Sequence, residues 1–106
     1  MLDGKKMNTK KIDNLIYISL SPGDYINYSL KQVANKYTLK SGWINGIGAI
    51  KNVELGYYNL DSKNYTRKIF NDDYELTSFL GNISIVDKTP FIHSHITLSD
   101  KNFKLL

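Results

Sequence analysis

The chain has 106 residues, of which 42% are hydrophobic and 23% are charged, which is typical of one globular domain. It contains no cysteine, which excludes disulfides, thiolate zinc sites and cysteine nucleophiles. The polar start lacks the apolar segment of a signal peptide, and no run approaches the roughly 18 apolar residues of a membrane span. We therefore expect a cytoplasmic protein without a membrane partner.

The formal net charge of +4 is concentrated at the start of the chain. Residues 1–11 contain one aspartate and four lysines, so the rest of the chain is nearly neutral. We predict that residues 1–11 form a flexible basic tail and that residues 12–106 form a single domain. Phosphate contacts of the tail would bind nucleic acid weakly and without specificity. The lysines concerned are Lys5, Lys6, Lys10 and Lys11.

A strand and a helix are predicted after the tail. The β-rich run NLIYISL, residues 14–20, ends at a Ser-Pro-Gly turn. Asp24 then stands at the position of an N-cap. The apolar residues that follow recur at helical spacing and predict an amphipathic helix of about four turns, whose apolar face needs a sheet to cover. They are Ile26, Leu30, Val33, Ala34 and Tyr37.

Residues 41–60 form a β-like run that is punctuated by glycines. The Asn45-Gly46 pair favours either a two-residue hairpin or bulges within one bent strand. Residues 61–64 predict a turn, because β-rich runs with hairpin patterning stand on both sides of it.

Two further strands are predicted in the last third of the chain. Residues 74–87 indicate a long strand, in which Gly81 marks a bulge or a close backbone approach. Residues 88–90 turn the chain into a last strand. One helix and successive strands with short connections favour an α+β fold, with a largely antiparallel sheet and one main amphipathic helix packed on it.

Three runs, SGWINGIGAIKNVELGYY, ELTSFLGNISIVD and PFIHSHITLSD, resemble in this order the plant-and-prokaryote conserved (PPC) domain. The resemblance covers about residues 15–106 and is to the stand-alone prokaryotic type. It implies an α+β subunit that assembles as a homotrimer through its sheets. We assign a structural role to the glycines of these runs and to one neighbouring asparagine: Gly46, Gly48, Gly56, Gly81 and Asn82.

The sequence departs from the family in three respects. It has no Arg-Gly-Arg core of an AT-hook, the segment to which the family's DNA-binding label largely belongs. The Arg-Phe-Glu run through which plant members contact partners corresponds to Asp73-Tyr74-Glu75. Prokaryotic members continue into a Gly-Gly-His strand, a short helix and a closing strand, whereas this sequence stops at Leu106. We therefore expect a domain without its last strands, whose final strand is covered by a neighbouring subunit or poorly ordered.

The last predicted strand carries a candidate metal site. Alternation places Phe91, His93, His95 and Thr97 on one face and Ser94 on the other, so Ser94 cannot form a dyad with the histidines. Two imidazoles at this spacing can converge on zinc. The resemblance implies a third ligand in the Gly-Gly-His strand, which this sequence lacks. Its replacement would be a side chain of a neighbouring subunit or one of Glu54, Glu75 and Asp100.

Two other hypotheses concern the histidines and the tyrosines. His93 and His95 are alternatively neutral, hydrogen-bonded structural residues. Tyrosines near basic residues indicate either base stacking or sheet packing in an oligomer. The tyrosines are Tyr57, Tyr58, Tyr65 and Tyr74, and the basic residues are Lys63, Arg67 and Lys68.

The leading hypothesis is a homotrimeric assembly or regulatory module, with DNA binding by family resemblance and no catalytic residues. The alternative is a zinc-binding protein, in which His93 and His95 lie at or near a subunit interface and bind or hydrolyse a small molecule.

Overall fold

The computed structural model describes residues 7–106, which form an α+β structure of antiparallel sheets and one helix. In chain order the elements are β1 (Asn8–Ile12), β2 (Leu15–Ser19), α1 (Ile26–Lys36), β3 (Gly42–Asn59), β4 (Asn64–Val86) and β5 (Thr89–Ser99). Strands β1 and β2 form a two-stranded sheet, and the other sheet has the order β3-β4-β5. The predicted α+β class with antiparallel strands and one helix is confirmed, although the strands form two sheets where one was predicted.

The chain divides into two compact units. The helical unit comprises Met1–Trp43, of which residues 7–43 are described, and Gly81–His93. The hairpin unit comprises Ile44–Leu80 and Ser94–Leu106. No helix within residues 7–106 is long and apolar enough to cross a membrane.

The β1–β2 hairpin opens the helical unit. Its antiparallel register runs from Asn8 opposite Ser19 to Ile12 opposite Leu15, which leaves a two-residue turn with Asp13 at φ 54°. The predicted flexible tail is therefore wrong for residues 8–11, because they are hydrogen-bonded to β2. The predicted strand at 14–20 is confirmed as β2.

Helix α1 has 11 residues, about three turns, and buries Leu30, Val33 and Ala34, as its periodicity predicts. The predicted N-cap at Asp24 is wrong, because the helix begins after Tyr25 without a side-chain cap. The Asp24 carboxylate instead accepts a hydrogen bond from the Ser21 N–H at 2.8 Å. A short acidic side chain can bind nearby backbone in a turn as readily as at a helix start, and here the turn prevails.

The end of α1 is a Schellman motif. The Leu39 N–H donates to the Ala34 carbonyl at 2.8 Å, and the Thr38 N–H donates to the Asn35 carbonyl at 3.2 Å. This geometry requires a left-handed residue after the helix, and Thr38 adopts it with φ 55°. A β-branched residue is strained in this conformation, which glycine usually occupies.

A polar cluster connects β1 to the end of α1. Thr9 Oγ1 lies 3.0 Å from the Tyr37 hydroxyl and accepts a hydrogen bond from Lys36 Nζ at 2.9 Å. Residue 9, expected in a mobile tail, is therefore joined to the helix by side chains as well as to β2 by backbone.

In the hairpin unit, β3 continues through Asn45-Gly46 without a turn. The hairpin alternative at this pair is therefore wrong, and one irregular strand is formed, in which Asn52 has φ 54°. The reversal comes after Asn59, whose Oδ1 accepts hydrogen bonds from the N–H groups of Asp61 at 2.9 Å and Ser62 at 3.0 Å. The predicted β3–β4 hairpin is thus confirmed.

Strand β4 unites two runs that the sequence separates, residues 65–70 and 74–87. Leu76 and Phe79 are both buried although they are three residues apart, so the alternation changes phase between them. Gly81 is buried within a stretch of regular alternation. The change of phase therefore lies between Leu76 and Phe79, and the bulge or close backbone approach assigned to Gly81 stays a prediction.

Strand β5 is regular to its end. Leu98 is 0% exposed within one chain, and it exchanges two backbone hydrogen bonds with Leu106, at 3.1 and 2.8 Å. The prediction that the final strand is either covered by a neighbouring subunit or poorly ordered is wrong at Leu98, which is buried and backbone-paired within a single chain.

Candidate functional site

The histidine pair lies on the exposed face of β5. Phe91, His93, His95 and Thr97 are all exposed, and the residues that alternate with them, among them Ser94, are buried or half-buried. The predicted period of two is confirmed by this pattern of exposure, and His93 and His95 are each exposed.

The described chain does not complete a metal site around the histidines. Within residues 7–106 no three His, Cys, Asp or Glu side chains are grouped so that they could hold a metal ion. The Asp100 carboxylate accepts hydrogen bonds from the N–H groups of Asn102 at 2.8 Å and Lys104 at 2.9 Å, which close the turn after β5. Replacement of the missing ligand by Glu54, Glu75 or Asp100 is therefore not supported. Zinc takes four ligands, of which two imidazoles supply two, so His93 and His95 lack the remaining ligands among residues 7–106.

The predicted basic residues fall into two groups. Lys10 and Lys11 are exposed on β1 of the helical unit, whereas Lys5 and Lys6 lie outside the described residues. The hairpin unit carries the second group, and all of its members are exposed: Lys63, Arg67 and Lys68.

Arg67 belongs to a cluster that we call the Tyr–Arg cluster, which consists of Tyr58, Tyr65 and Arg67. The two tyrosine rings meet edge to face, with centroids 5.0 Å apart and planes at 62°. The Arg67 guanidinium lies 5.2 Å from the Tyr65 ring centroid. The structure thus brings together three of the residues for which the sequence suggested nucleic-acid binding.

The other face of β4 carries a separate contact. Lys68 Nζ lies 4.9 Å from the Phe70 ring centroid, and Phe70 meets Tyr74 edge to face at 6.2 Å. Lys68 and Arg67 are adjacent in a strand, so their side chains lie on opposite faces of β4. Sequence reasoning overlooked Phe70, although its two-residue spacing from Lys68 was a usable signal.

Of the glycines to which a structural role was assigned, Gly56 has a visible one. A β-carbon on Gly56 would lie 3.2 Å from Tyr65 Cδ1, so the tyrosine ring occupies the space above the glycine. Nothing lies within 4 Å of a β-carbon placed on Gly46 or Gly48, so packing within one chain does not require them. Asn82 is exposed on β4.

A cavity of about 460 Å³ lies in the helical unit between the end of α1 and the β4–β5 turn. None of the predicted site residues lines it. Its walls are Ala34, Asn35, Thr38, Leu39, Lys40, Ile85, Lys88 and Pro90.

The antiparallel sheets and the single described helix define an α+β fold of the kind that the sequence resemblance predicted. Residues 7–106 match the Plants and Prokaryotes Conserved (PCC) domain, and the chain belongs to this family.

Solved structures share this fold along most of the chain. A putative DNA-binding protein from Bacteroides thetaiotaomicron is 31% identical, with a TM-score of 0.90 over 96% of this chain and 71% of its own. A PPC protein from Pyrococcus horikoshii is 28% identical, with a TM-score of 0.82 over 100% and 71%. A metal-containing protein from Archaeoglobus fulgidus is 26% identical, with a TM-score of 0.77 over 82% and 61%. A comparison with curated proteins found no match.

Proposed function

We propose that the chain acts as a homotrimeric assembly or regulatory module that associates with DNA, and that β1 belongs with residues 12–106 to its single domain. The observation that carries the proposal is the exposure of large apolar side chains on strands. Trp43 is 70% exposed and Ile47 is 82% exposed on β3. Exposed apolar surface on strands is typical of faces that other subunits cover.

Mass measurement tests the assembly. We expect native mass spectrometry and light scattering to give the mass of three 12.2 kDa chains for the wild type. Ile47→Lys should shift this mass toward one chain, because burying a charge in an apolar interface is costly. Gln32→Lys adds the same charge at an exposed polar position of α1 and should leave the mass unchanged. A wild-type mass of one chain at every concentration would contradict the proposal.

Association with DNA is supported by the similarity to the putative DNA-binding protein from Bacteroides thetaiotaomicron. Because the sequence contains no AT-hook core, binding would depend on the basic residues of the domain and its start. We expect weak binding whose affinity falls with added salt. An affinity that does not change with salt, or no binding at low salt, would exclude this part of the proposal.

The zinc hypothesis is a second candidate, favoured by the exposure of His93 and of His95 and by the similarity to the metal-containing protein from Archaeoglobus fulgidus. It requires a ligand from a neighbouring subunit, since one chain groups no third donor among its described residues. Zinc content after purification without chelator tests it. Stoichiometric zinc that is lost in His93→Ala and in His95→Ala, but kept in Thr97→Ala on the same face, would establish the site. Metal-free protein would exclude it.

A further inference from the structure

We propose that the Tyr–Arg cluster of the β3–β4 hairpin is a binding surface for single-stranded DNA. The proposal deepens the DNA-associated part of the proposed function and does not depend on the trimeric part. It starts from the shape of the cluster, in which two tyrosines and a guanidinium form one continuous surface.

The aromatic groups of this surface are held in place yet accessible. Tyr58 is 42% exposed and Tyr65 is 56% exposed. Tyr65 lies over Gly56 and contacts both Tyr58 and Arg67, which restricts its ring. Tyrosine rings and the guanidinium plane are the groups on which unpaired bases stack in proteins that bind single strands.

The charge of the hairpin end matches a phosphate backbone. Within residues 55–70, Asp61 is the only acidic residue, against Lys63 in the turn and Arg67 in the cluster, whereas Lys68 lies on the other face of β4. Glu54 is exposed, and alternation places it on the same face as Gly56 and Tyr58. This carboxylate marks the end of the favourable surface, which confines binding to the outer part of the hairpin.

The same features favour a single strand over a duplex and over a second copy of the chain. Base faces are accessible for stacking only when the bases are unpaired. A self-contact that covered the cluster would bury the Arg67 guanidinium, which is costly without an acidic partner. Single-stranded DNA offers both stacking faces and phosphates, so it satisfies the rings and the cation together.

Fluorescence anisotropy with a labelled 15-nucleotide oligothymidine tests the proposal. Tyr65→Ala should weaken binding about tenfold, within the range expected for loss of one stacked base. Arg67→Gln should weaken binding. It should also make the negative slope of log K against log salt shallower by about 0.7, the contribution of one phosphate contact on a single strand. Lys68→Gln removes the same charge from the opposite face of β4 and should change affinity by less than about twofold.

Circular dichroism and light scattering on each variant accompany the titration, because the substituted side chains are exposed and should not be needed for folding. Equal losses in Lys68→Gln and Arg67→Gln would indicate non-specific charge and overturn the proposal. A changed oligomeric mass in Tyr65→Ala would make the cluster a subunit contact and also overturn it. Binding of a duplex but not of oligothymidine would overturn it while leaving DNA association intact. If the protein binds neither the duplex nor oligothymidine, both this proposal and the proposed association with DNA are overturned.

Discussion

Tyr65 lies against Gly56 across the β3–β4 hairpin, so close that a β-carbon on the glycine would come within 3.2 Å of Tyr65 Cδ1. Glycine weakens a strand because it has no side chain to pack. Here the ring of Tyr65 fills the vacant space, and Tyr58 and Arg67 hold that ring from other sides. The glycine and the tyrosine therefore form one structural unit within the hairpin.

This contact predicts that Gly56→Ala changes the free energy of unfolding in opposite directions in the wild type and in a Tyr65→Ala variant. In the wild type, Gly56→Ala should lower the free energy of unfolding by up to about 1 kcal/mol, because the ring must move away from its contacts. In a Tyr65→Ala background the same change should raise it by about 0.5 kcal/mol, since alanine restricts the unfolded chain. Urea unfolding of the four proteins measures the coupling. Equal effects in both backgrounds would show that the contact carries no energy.

The Thr9–Tyr37 contact predicts that β1 contributes to stability. Tyr37→Phe removes the hydroxyl that lies 3.0 Å from Thr9 Oγ1 and should lower the free energy of unfolding by about 1 kcal/mol. Tyr25→Phe removes a hydroxyl from an exposed ring and serves as the control, with no expected change. Thermal unfolding distinguishes the two variants. If Tyr37→Phe matches the control, the cluster does not stabilise the attachment of β1 to the helix.

The strained end of α1 predicts a stabilising substitution. Thr38 has φ 55° at a position where glycine is favoured, so Thr38→Gly should raise the free energy of unfolding by about 1 kcal/mol. Thr66→Gly, at an exposed position inside β4, should instead lower it by about 0.5 to 1 kcal/mol. Chemical denaturation of both variants measures the difference. A loss of stability in Thr38→Gly would show that its side chain outweighs the strain.

The exposure of Trp43 allows assembly to be followed by fluorescence. Trp43 is the only tryptophan of the chain, so tryptophan emission reports on this position alone. If subunits cover the ring, dilution should shift the emission maximum to longer wavelength as chains separate. Ile47→Lys should show the long-wavelength emission already at high concentration. An emission maximum that stays at long wavelength for the wild type at all concentrations would indicate that Trp43 lies outside any interface.

Periodicity in the sequence predicted the elements that depend on local pattern. The spacing of Leu30, Val33 and Ala34 located the buried face of α1, and alternation predicted that His93 and His95 are each exposed. The family resemblance implied the same α+β fold class as the pattern of predicted elements. These features follow from repeats of two and about 3.6 residues, which are visible in the chain itself.

Long-range contacts and competing local contacts decided the features that the sequence mispredicted, namely the start of α1 and the pairing of residues 8–11. Asp24 resembles an N-cap in sequence, yet the helix begins one residue later than this requires, after Tyr25. The Asp24 carboxylate and N–H instead bind the Ser21 backbone in a turn. The lysine-rich residues 8–11 were predicted to form a tail, yet they pair with β2. Exposed lysines on an edge strand do not prevent backbone pairing.

The sequence by itself determined the α+β class, the position of most strands along the chain, the buried face of α1, and the exposure of His93 and of His95. Each of these features depends on residues that are close together in the chain. Only the tertiary structure decided that Tyr58, Tyr65 and Arg67 form one cluster over Gly56 and that Thr9 contacts the end of α1. These contacts depend on which residues the hairpin and the helix place opposite one another, and that register is set by turns and packing that no single segment specifies.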